Sequence, residues 1–364
     1  MNLQRRNYTW NKLPLPPDQP AGPFAYTWTA ERVKKVFDKP LYQELIGASA
    51  FRRLADIRFL GAIDYLIHPT GRQFTRRRHT RLEHTLGVAH LALTYSRLMG
   101  LSNRDEELLV SAALLHDIGH APLSHSVEAA FNKHFGIDHH AASAQIILGT
   151  APPNARDLNV APILSAFGVK PDEVISLVAG RLEGKAYNFL FAHPINIDTL
   201  EAISRTETYF KSSQTSPTPD VVLLSLIRLT QMEKIDEFWR LKNRVYALWI
   251  QSPLGLFADH VAQKYVELNI DAFSIDDFFL SERALRKKHP FLFSCLSEAR
   301  KNLIKDGAVN ALPVEIPAQL RRFFLDETAA PGSANRYRQE KKSVLIGFAG
   351  IRQTAIQQLS TPNQ

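Results

Sequence analysis

The sequence predicts an all-α fold with one short β-hairpin, and two patterns support this prediction. From about Thr29 onward, apolar residues recur three and four positions apart, which places them on one face of a helix. By contrast, the stretch 62–74 alternates in polarity and turns at Pro69-Thr-Gly71, as a hairpin does. The chain has 364 residues, 45% of them hydrophobic, so it is long enough to bury a large core.

Helical periodicity is strongest in the middle of the chain. Helices are predicted at 80–99, 104–117, 123–135, 139–149, 171–180, 196–210, 219–250 and 254–268. After Ser274 the patterns are shorter, and residues 329–334 form a break around Pro331 and Gly332. We therefore expect three parts: a Pro-rich N-terminal arm at 1–29, a helical core at 30–270, and a basic, mostly helical C-terminal extension at 271–364.

The composition excludes several classes of protein. Cys295 is the single cysteine, which rules out intramolecular disulfides, Cys-rich zinc sites and iron–sulfur clusters. No stretch approaches the roughly 20 apolar residues that cross a bilayer, and the N-terminus lacks the apolar core of a signal peptide. We therefore expect a cytoplasmic protein without a membrane partner. The formal net charge of +8 favours anionic partners such as nucleotides, nucleic acid or an acidic protein.

A pair of metal-type ligands, His116 and Asp117, closes an apolar helical run. Burying both side chains is costly unless something compensates for their lost hydration, and a bound cation would do so. His84, early in another apolar helix, is a third candidate ligand. Asp198 opens a distant helix and is the fourth candidate. Asp198 also begins a possible capping box that Glu201 completes, and the two roles are compatible.

Two extended motifs carry a resemblance to a known family. Arg81-Leu-Glu-His84-Thr-Leu-Gly87 and His116-Asp-Ile-Gly-His-Ala-Pro-Leu-Ser-His125 resemble the HD-domain metal-dependent phosphohydrolases. The resemblance is closer to their deoxynucleoside triphosphate triphosphohydrolase branch, which the preceding Phe51-Arg-Arg-Leu and Phe59-Leu-Gly61 also match. It implies an HD core within 30–270 and a homo-oligomer.

In that family, the residues that match His84, His116, Asp117 and Asp198 hold one divalent metal ion. Two imidazoles and two carboxylates suit Mn²⁺, Fe²⁺, Zn²⁺, Co²⁺, Ni²⁺ or Mg²⁺, and the sequence does not choose among them.

Further histidines are candidates for proton transfer. His125 and Glu128 lie three residues apart and share a helical face, so that Glu128 would orient the imidazole and raise its pKa for general-acid catalysis. Bacterial members of the resembling branch use a His-x-x-Glu here. His120 is a second catalytic candidate, and His140 matches another active-site histidine of the family. We expect surface or capping roles for the neighbouring histidines His79, His90, His134 and His139.

Cations and a tyrosine are candidates for binding substrate phosphates. Arg81 precedes His84 by three residues and would point its donors at phosphate oxygens. Arg78, with Arg72, Arg76 and Arg77, forms either a basic rim or a solvated loop. Tyr246 lies in Lys242-Asn-Arg-Val-Tyr246, which is similar to the family's Arg-x-Tyr-x-His-Lys stretch.

The sequence departs from the family's substrate-binding pattern. Phe59 replaces a glutamine that contacts the sugar, and Thr199 and Ala202 replace a cation and a tyrosine. Leu248 and Trp249 stand where a histidine and a lysine would bind the outer phosphates. The substrate therefore stays open between a dNTP, a nucleoside monophosphate, a modified nucleotide and a nucleic-acid end.

Three functions remain in competition. The first is hydrolysis of a nucleotide phosphoester, which would yield nucleoside and triphosphate from a dNTP. The second is an HD-type nuclease or a nucleotidase/phosphodiesterase; a nuclease would hold nucleic acid through the basic C-terminal residues. These residues are Arg283, Arg286, Lys287, Lys288, Arg300, Lys301 and Lys305. The third is a non-catalytic module that binds a nucleotide.

Overall fold

The computed structural model describes residues 28–67, 79–210, 216–305 and 314–348. Within these ranges the chain is mostly helical and forms one two-stranded sheet, so the predicted fold class is confirmed. Most of the predicted N-terminal arm, together with Arg72, Arg76, Arg77 and Arg78, lies outside the described residues. In the described part of the chain, none of the helices has the length and apolar character that spanning a bilayer requires.

The helices are numbered in chain order. The first group comprises α1 (Ala30–Val36), α2 (Pro40–Gly47), α3 (Ser49–Arg53), α4 (Ile63–Leu66), α5 (Arg81–Met99), α6 (Asn103–Leu115), α7 (His125–Phe135) and α8 (His139–Leu148). The second group comprises α9 (Ala161–Ala166), α10 (Pro171–Val178), α11 (Phe189–Ala192), α12 (Ile197–Phe210), α13 (Pro219–Arg228), α14 (Met232–Val245), α15 (Pro253–Leu268), α16 (Glu282–Lys288) and α17 (Pro290–Lys305). The strands are β1 (Val314–Leu325) and β2 (Tyr337–Phe348).

The predicted helices between residues 80 and 268 agree closely with the observed ones, with one exception. The helix predicted at 219–250 is broken: α13 ends at Arg228, and Leu229 and Gln231 adopt positive φ angles of 52° and 48°. Neither residue is glycine, so local sequence gave no sign of the break. α14 then continues into a π-helical turn at Tyr246–Ile250.

The hairpin lies elsewhere than predicted. Ile63–Leu66 is helical, so a hairpin at 62–74 is wrong for the part that is described, and residues 68–78 lie outside the described ranges. The observed ribbon pairs β1 with β2 in antiparallel order, with Val314 opposite Phe348 and Leu325 opposite Tyr337. The break predicted at 329–334 is the connection between these strands, and the C-terminal extension is therefore part helix and part ribbon.

The core is built around α5 and α6, which pack side by side, while α12 covers α5 and α15 covers α7. Local caps fix where these helices meet. Gly100 ends α5 in the left-handed region at φ 59°, and the Ser102 hydroxyl accepts a hydrogen bond from Asp105 N at 3.2 Å to start α6. Gly119 is required by close approach, because a Cβ there would lie 2.2 Å from Ser143 N on α8. The turn after α6 is thereby pressed against α8.

A partly buried carboxyl group, that of Asp259, links α15 to α7. The Ser126 hydroxyl donates to Asp259 Oδ1 at 2.5 Å and accepts from Ala62 N at 2.9 Å. Burial raises the pKa of Asp259 to about 7, although the hydrogen bond from Ser126 lowers it. This carboxyl therefore takes up a proton in the folded protein at a pH where it is ionised in the unfolded chain.

The raised pKa of Asp259 predicts how stability changes with pH. Its value in the unfolded chain is about 3.9, so the folded state binds more protons between about pH 4 and pH 7. The free energy of unfolding therefore contains a contribution that is present below pH 4 and is lost as the pH rises through 7. We expect Asp259→Asn to match the parent at pH 4 and to exceed its free energy of unfolding by about 3–4 kcal/mol at pH 8. Urea denaturation at both pH values measures this, and an identical pH dependence in both proteins would contradict it.

Candidate active site

The four candidate metal ligands come together from three helical segments. His84 lies on α5, His116 and Asp117 directly follow α6, and Asp198 is in the first turn of α12. His84 Nε2 is 3.3 Å from His116 Nε2, 3.4 Å from Asp117 Oδ2 and 3.1 Å from Asp198 Oδ1. His116 Nε2 is 3.4 Å from Asp117 Oδ1 and 3.8 Å from Asp198 Oδ1.

Hydrogen bonds assign the same tautomer to both imidazoles. His84 Nδ1 lies 2.6 Å from Glu201 Oε2, and His116 Nδ1 lies 2.8 Å from the Ala113 carbonyl oxygen. Both partners are acceptors, so each neutral ring carries its proton on Nδ1. The two Nε2 atoms then present lone pairs to each other and to two carboxylates. A cation can accept all of these lone pairs at once, and the site therefore fits a divalent metal ion.

The electrostatics of the site also favour positive charge. Burial alone lowers the pKa of His84, but hydrogen bonds to Asp198 and Glu201 outweigh it and raise the pKa to about 9. Burial raises the pKa of Asp198, whereas the hydrogen bond and charge of His84 bring it down to about 2. The side chain of Asp198 is 44% exposed and that of His84 is fully buried, so solvent reaches the site from the Asp198 side.

Glu201 orients His84 through the hydrogen bond at Nδ1, on the side of the ring away from the other candidate ligands. It also accepts a hydrogen bond from Arg205 Nε at 2.8 Å, which fixes its carboxylate. The predicted capping box is not formed: Asn196 Oδ1 accepts from Thr199 N at 2.7 Å and caps α12 instead. Asp198 and Glu201 are three residues apart on one helical face, and that spacing could have revealed their shared orientation toward His84.

Gly87 makes room for Glu201, and this predicts the effect of a substitution. A Cβ at position 87 would lie 2.3 Å from Glu201 Oε1, so Gly87→Ala should displace the carboxylate from His84. Loss of such a partner typically weakens metal binding by about 10-fold to 100-fold. Calorimetric titration with Zn²⁺ or Mn²⁺ measures this. Gly47→Ala is the matched control, because no atom lies within 4 Å of a Cβ there. Equal metal affinity in the two variants would refute this role of Gly87.

A second cluster lies beside the candidate ligands. Glu128 Oε2 is 3.3 Å from His125 Nδ1 and 2.7 Å from His139 Nδ1. The His120 ring stacks on that of His139, with centroids 4.3 Å apart and planes 8° apart. His120 Nε2 is 3.2 Å from Asp117 Oδ1, so this residue touches both clusters. His120, His125, Glu128 and His139 form a group that could itself hold a metal ion.

The structure corrects two expectations about this cluster. His139, expected to be a surface or capping residue, contacts Glu128 and His120, while His140 is exposed and touches the cluster through the His139 ring at 3.9 Å. Asp138 caps α8 and so puts His139 at its first position, a cue that the sequence did contain. The pKa of His125 is not raised: desolvation lowers it, and the hydrogen bond with Glu128 offsets only part of this effect.

Arg81 forms hydrogen bonds to residues of the site. Its Nη1 donates to Asp117 Oδ2 at 2.6 Å and its Nε donates to Ser124 Oγ at 3.0 Å. Its guanidinium lies 4.8 Å from the centre of the Phe59 ring, and that ring also packs against His84 at 4.7 Å. Phe59 is 4% exposed. Arg81 therefore orients a candidate ligand, and Phe59 fills the space behind it. Arg78 lies outside the described residues.

Tyr246 lies at the start of the π-helical turn, where its ring packs against that of Phe323 of β1 with the ring centres 4.6 Å apart. Burial raises the pKa of Tyr246, and the charge of Asp198 raises it further. Burial lowers the pKa of Lys242 to about 8, with Asp198 opposing the change and Arg321 adding to it. Lys242, Tyr246 and Arg321 are therefore electrostatic neighbours, and Asp198 acts on the first two. Sequence reasoning did not single out Arg321.

Comparison with known proteins identifies the middle of the chain. Residues 81–202 match the family model described as HD domain. This part of the chain is similar to HD domains. The matched range includes all four candidate ligands and the second cluster, and it ends before Lys242, Tyr246 and the ribbon. The resemblance proposed from the motifs is confirmed, and the HD domain is itself an all-α fold.

Several known proteins are similar to part of this chain. It is 29% identical over 191 residues to the uncharacterized protein YwfO of Bacillus subtilis, covering 48% of this chain and 40% of the relative. It is 40% identical over 91 residues to the uncharacterized protein MJ1154 of Methanocaldococcus jannaschii, covering 25% and 18%. It is 43% identical over 72 residues to a deoxyguanosinetriphosphate triphosphohydrolase-like protein of Bradyrhizobium, covering 19% and 18%. The matches span less than half the length of these relatives.

Proposed function

We propose that this protein is a metal-dependent phosphohydrolase that cleaves a phosphoester bond of a nucleotide. The observation that carries the proposal is the convergence of two Nε2 lone pairs and two carboxylates beside a His–Glu–His cluster. His84, His116, Asp117 and Asp198 would hold one divalent ion, with the choice among Mn, Fe, Zn, Co, Ni and Mg left open. When bound, such an ion supplies Lewis-acid stabilisation of the charge that develops on a phosphoryl group.

The chain's own residues account for proton transfer and positioning. His125 is 60% exposed on its side chain, so a substrate can reach it. Glu128 holds His125 at Nδ1, which leaves Nε2 to exchange a proton with the reacting group. The pKa of His125 is lowered from its usual value, which favours the neutral imidazole that can accept a proton. His139 shares the Glu128 carboxylate, and His120 links this cluster to Asp117.

A mononucleotide is the substrate class that the site supports best. The names of several relatives describe them as deoxyguanosinetriphosphate triphosphohydrolase-like, which supports a dNTP cleaved to nucleoside and triphosphate. Tyr246 would contact the phosphates opposite the metal, and Arg81 would reach them beside Asp117. Phe59 is buried against His84 and offers no hydrogen bond to a sugar, so the sugar must be recognised by other groups.

The nuclease alternative receives less support. It relied on the basic residues of the C-terminal third, and two of these are occupied within the fold. Arg286 donates to the Tyr65 hydroxyl at 2.6 Å, and Lys288 Nζ lies 2.6 Å from Asp277 Oδ2. Nucleic-acid binding, a homo-oligomeric state and a cytoplasmic location stay predictions.

Substitution of His125 tests the enzymatic proposal. We expect His125→Ala to lower kcat by about 100-fold to 10,000-fold, because general acid–base catalysis contributes a factor of that size. The bound metal, measured by elemental analysis, should not change. His134→Ala is the matched control, since His134 is an exposed histidine on the same helix. Substrates to screen are dNTPs, nucleoside monophosphates, cyclic dinucleotides and single-stranded DNA, with Mn²⁺, Mg²⁺ and Fe²⁺. If the parent protein hydrolyses none of them, the proposal fails and a nucleotide-binding module is favoured.

The neighbouring pair His139 and His140 provides an internal comparison. His139 shares Glu128 with His125, so His139→Ala should free Glu128 and disturb the position of His125, lowering kcat by about 10-fold or more. His140 is exposed, and His140→Ala should stay within about twofold of the parent. Steady-state rates of both variants on the best substrate of the screen measure this. A larger loss in the His140 variant would support the catalytic role that the sequence predicts for His140.

A further inference from the structure

One face of the C-terminal ribbon points toward the active site. Phe323 of β1 packs against Trp239 of α14 at 5.5 Å and against Tyr246 at 4.6 Å between ring centres. Side chains alternate along a strand, so Arg321 projects from the same face as Phe323, and Arg322 projects from the opposite face. The charge of Arg321 is therefore directed toward the π-helical turn, while that of its neighbour is directed away from it.

Hydrogen bonds hold β1 in this register. The side chain of Gln251 donates to the Arg321 carbonyl oxygen at 2.7 Å and accepts from Arg321 N. One side-chain amide therefore binds both backbone polar groups of Arg321. Phe323 N donates to Asn243 Oδ1 at 3.0 Å, and Trp239 Nε1 donates to the Phe324 carbonyl oxygen at 3.0 Å. The backbone position of Arg321 is thus set by contacts to three different side chains around it.

The side chain of Arg321 meets two groups that already border the site. Burial raises the pKa of Tyr246, the charge of Arg321 lowers it, and the Tyr246 ring packs against Phe323 on the same face of β1. Lys242 Nζ lies 4.6 Å from the centre of the Trp239 ring and 4.7 Å from that of Phe323, so this second cation sits on the same face of the ribbon. Asp198, the most exposed candidate metal ligand, acts electrostatically on both Lys242 and Tyr246.

Arg321, Lys242 and the hydroxyl group of Tyr246 thus lie near Asp198, on the exposed side of the candidate metal site. A substrate with one phosphate would place its charge at the metal alone. A di- or triphosphate bound at the metal would place its further phosphates close to these cations. Leu248, which is 53% exposed, and Trp249 lie in the π-helical turn and bring no charge of their own to this border. A cation supplied from β1 would provide such a charge there.

We infer that Arg321, with Lys242 beside it, binds the outer phosphates of a nucleoside di- or triphosphate substrate. The inference rests on the proposed phosphohydrolase function and narrows its substrate class to nucleotides with more than one phosphate. It also assigns the ribbon, which lies outside the matched HD domain, a part in substrate recognition.

Binding of inorganic polyphosphates tests this inference without turnover. Tripolyphosphate and orthophosphate are titrated by calorimetry into the metal-loaded full chain at fixed ionic strength. We expect Arg321→Gln to weaken tripolyphosphate binding by about 10-fold to 100-fold, the factor that one charged hydrogen bond supplies. Orthophosphate binding should change by less than about threefold, because it occupies the metal end alone.

Arg322→Gln is the matched control, since it removes the same charge one residue away on the opposite face of β1. It should leave tripolyphosphate binding within about twofold of the parent, and thermal melting should show that both variants are folded. Equal weakening in the two variants would mean a general charge effect and would overturn the inference. So would unchanged tripolyphosphate binding in Arg321→Gln, or no binding by the parent.

The outcomes separate this inference from the proposed function. A parent that hydrolyses no phosphoester but loses tripolyphosphate binding only in Arg321→Gln would refute the enzyme and support the anion site. A parent that hydrolyses nucleotides while Arg321→Gln keeps the parent's tripolyphosphate affinity and its KM for dNTPs would support the enzyme and refute the role of Arg321.

Discussion

The arrangement of the active site depends on two imidazole nitrogens that face each other at 3.3 Å. Each ring is fixed at its other nitrogen, His84 by the Glu201 carboxylate and His116 by a backbone carbonyl of its own helix. Neither ring can relieve the opposition of lone pairs by changing tautomer without losing a buried hydrogen bond. A positive charge between the rings removes this conflict, either a proton on His84, whose pKa is raised to about 9, or a bound cation, and the carboxylates of Asp117 and Asp198 lie close enough to share it.

The fold supplies this geometry through close packing of backbone against side chains. α5 must approach α12 closely enough for Glu201 to reach His84, and the missing side chain of Gly87 allows that distance. The turn after α6 must pack against α8, and Gly119 allows that contact because it has no side chain. The backbone N–H of Gly119 donates a hydrogen bond to Ser143 Oγ at 2.9 Å. Interiors are packed too densely to absorb an extra methyl group at such points without moving a neighbour. The position of the site therefore follows from helix spacing.

Local information predicted most of the helical core and the four candidate ligands. Periodicity and caps act over a few residues, so α5, α6, α7, α8, α10 and α12 were predicted close to their observed bounds, whereas the short helices α9 and α11 were not predicted. The two motifs marked His84 and His116. Tertiary information was needed elsewhere. Adjacent histidines at 139 and 140 have the same chemistry, and only the position of Glu128 distinguishes them.

The ribbon illustrates the same limit. The doubled pairs Arg321-Arg322 and Phe323-Phe324 obscure the alternation that marks a strand, so the sequence did not indicate β1. The break at Leu229 contains neither glycine nor proline, and packing of α13 against α14 decides it. Likewise, the proximity of Arg321 to Tyr246 joins segments that are far apart along the chain, and no local pattern encodes such a contact.

The isolation of the ribbon has a further consequence. Among the described residues each strand pairs with one other strand. Side chains of Gln251, Asn243 and Trp239 hydrogen-bond to backbone groups of β1, so the open edge in this part of the chain is that of β2. Open edges of this kind recruit strands from other molecules unless proline or charge prevents it. Pro317 interrupts β1, and Lys341 and Lys342 stand exposed along β2. The lysines of β2 would thereby oppose pairing of its open edge with a strand of another molecule.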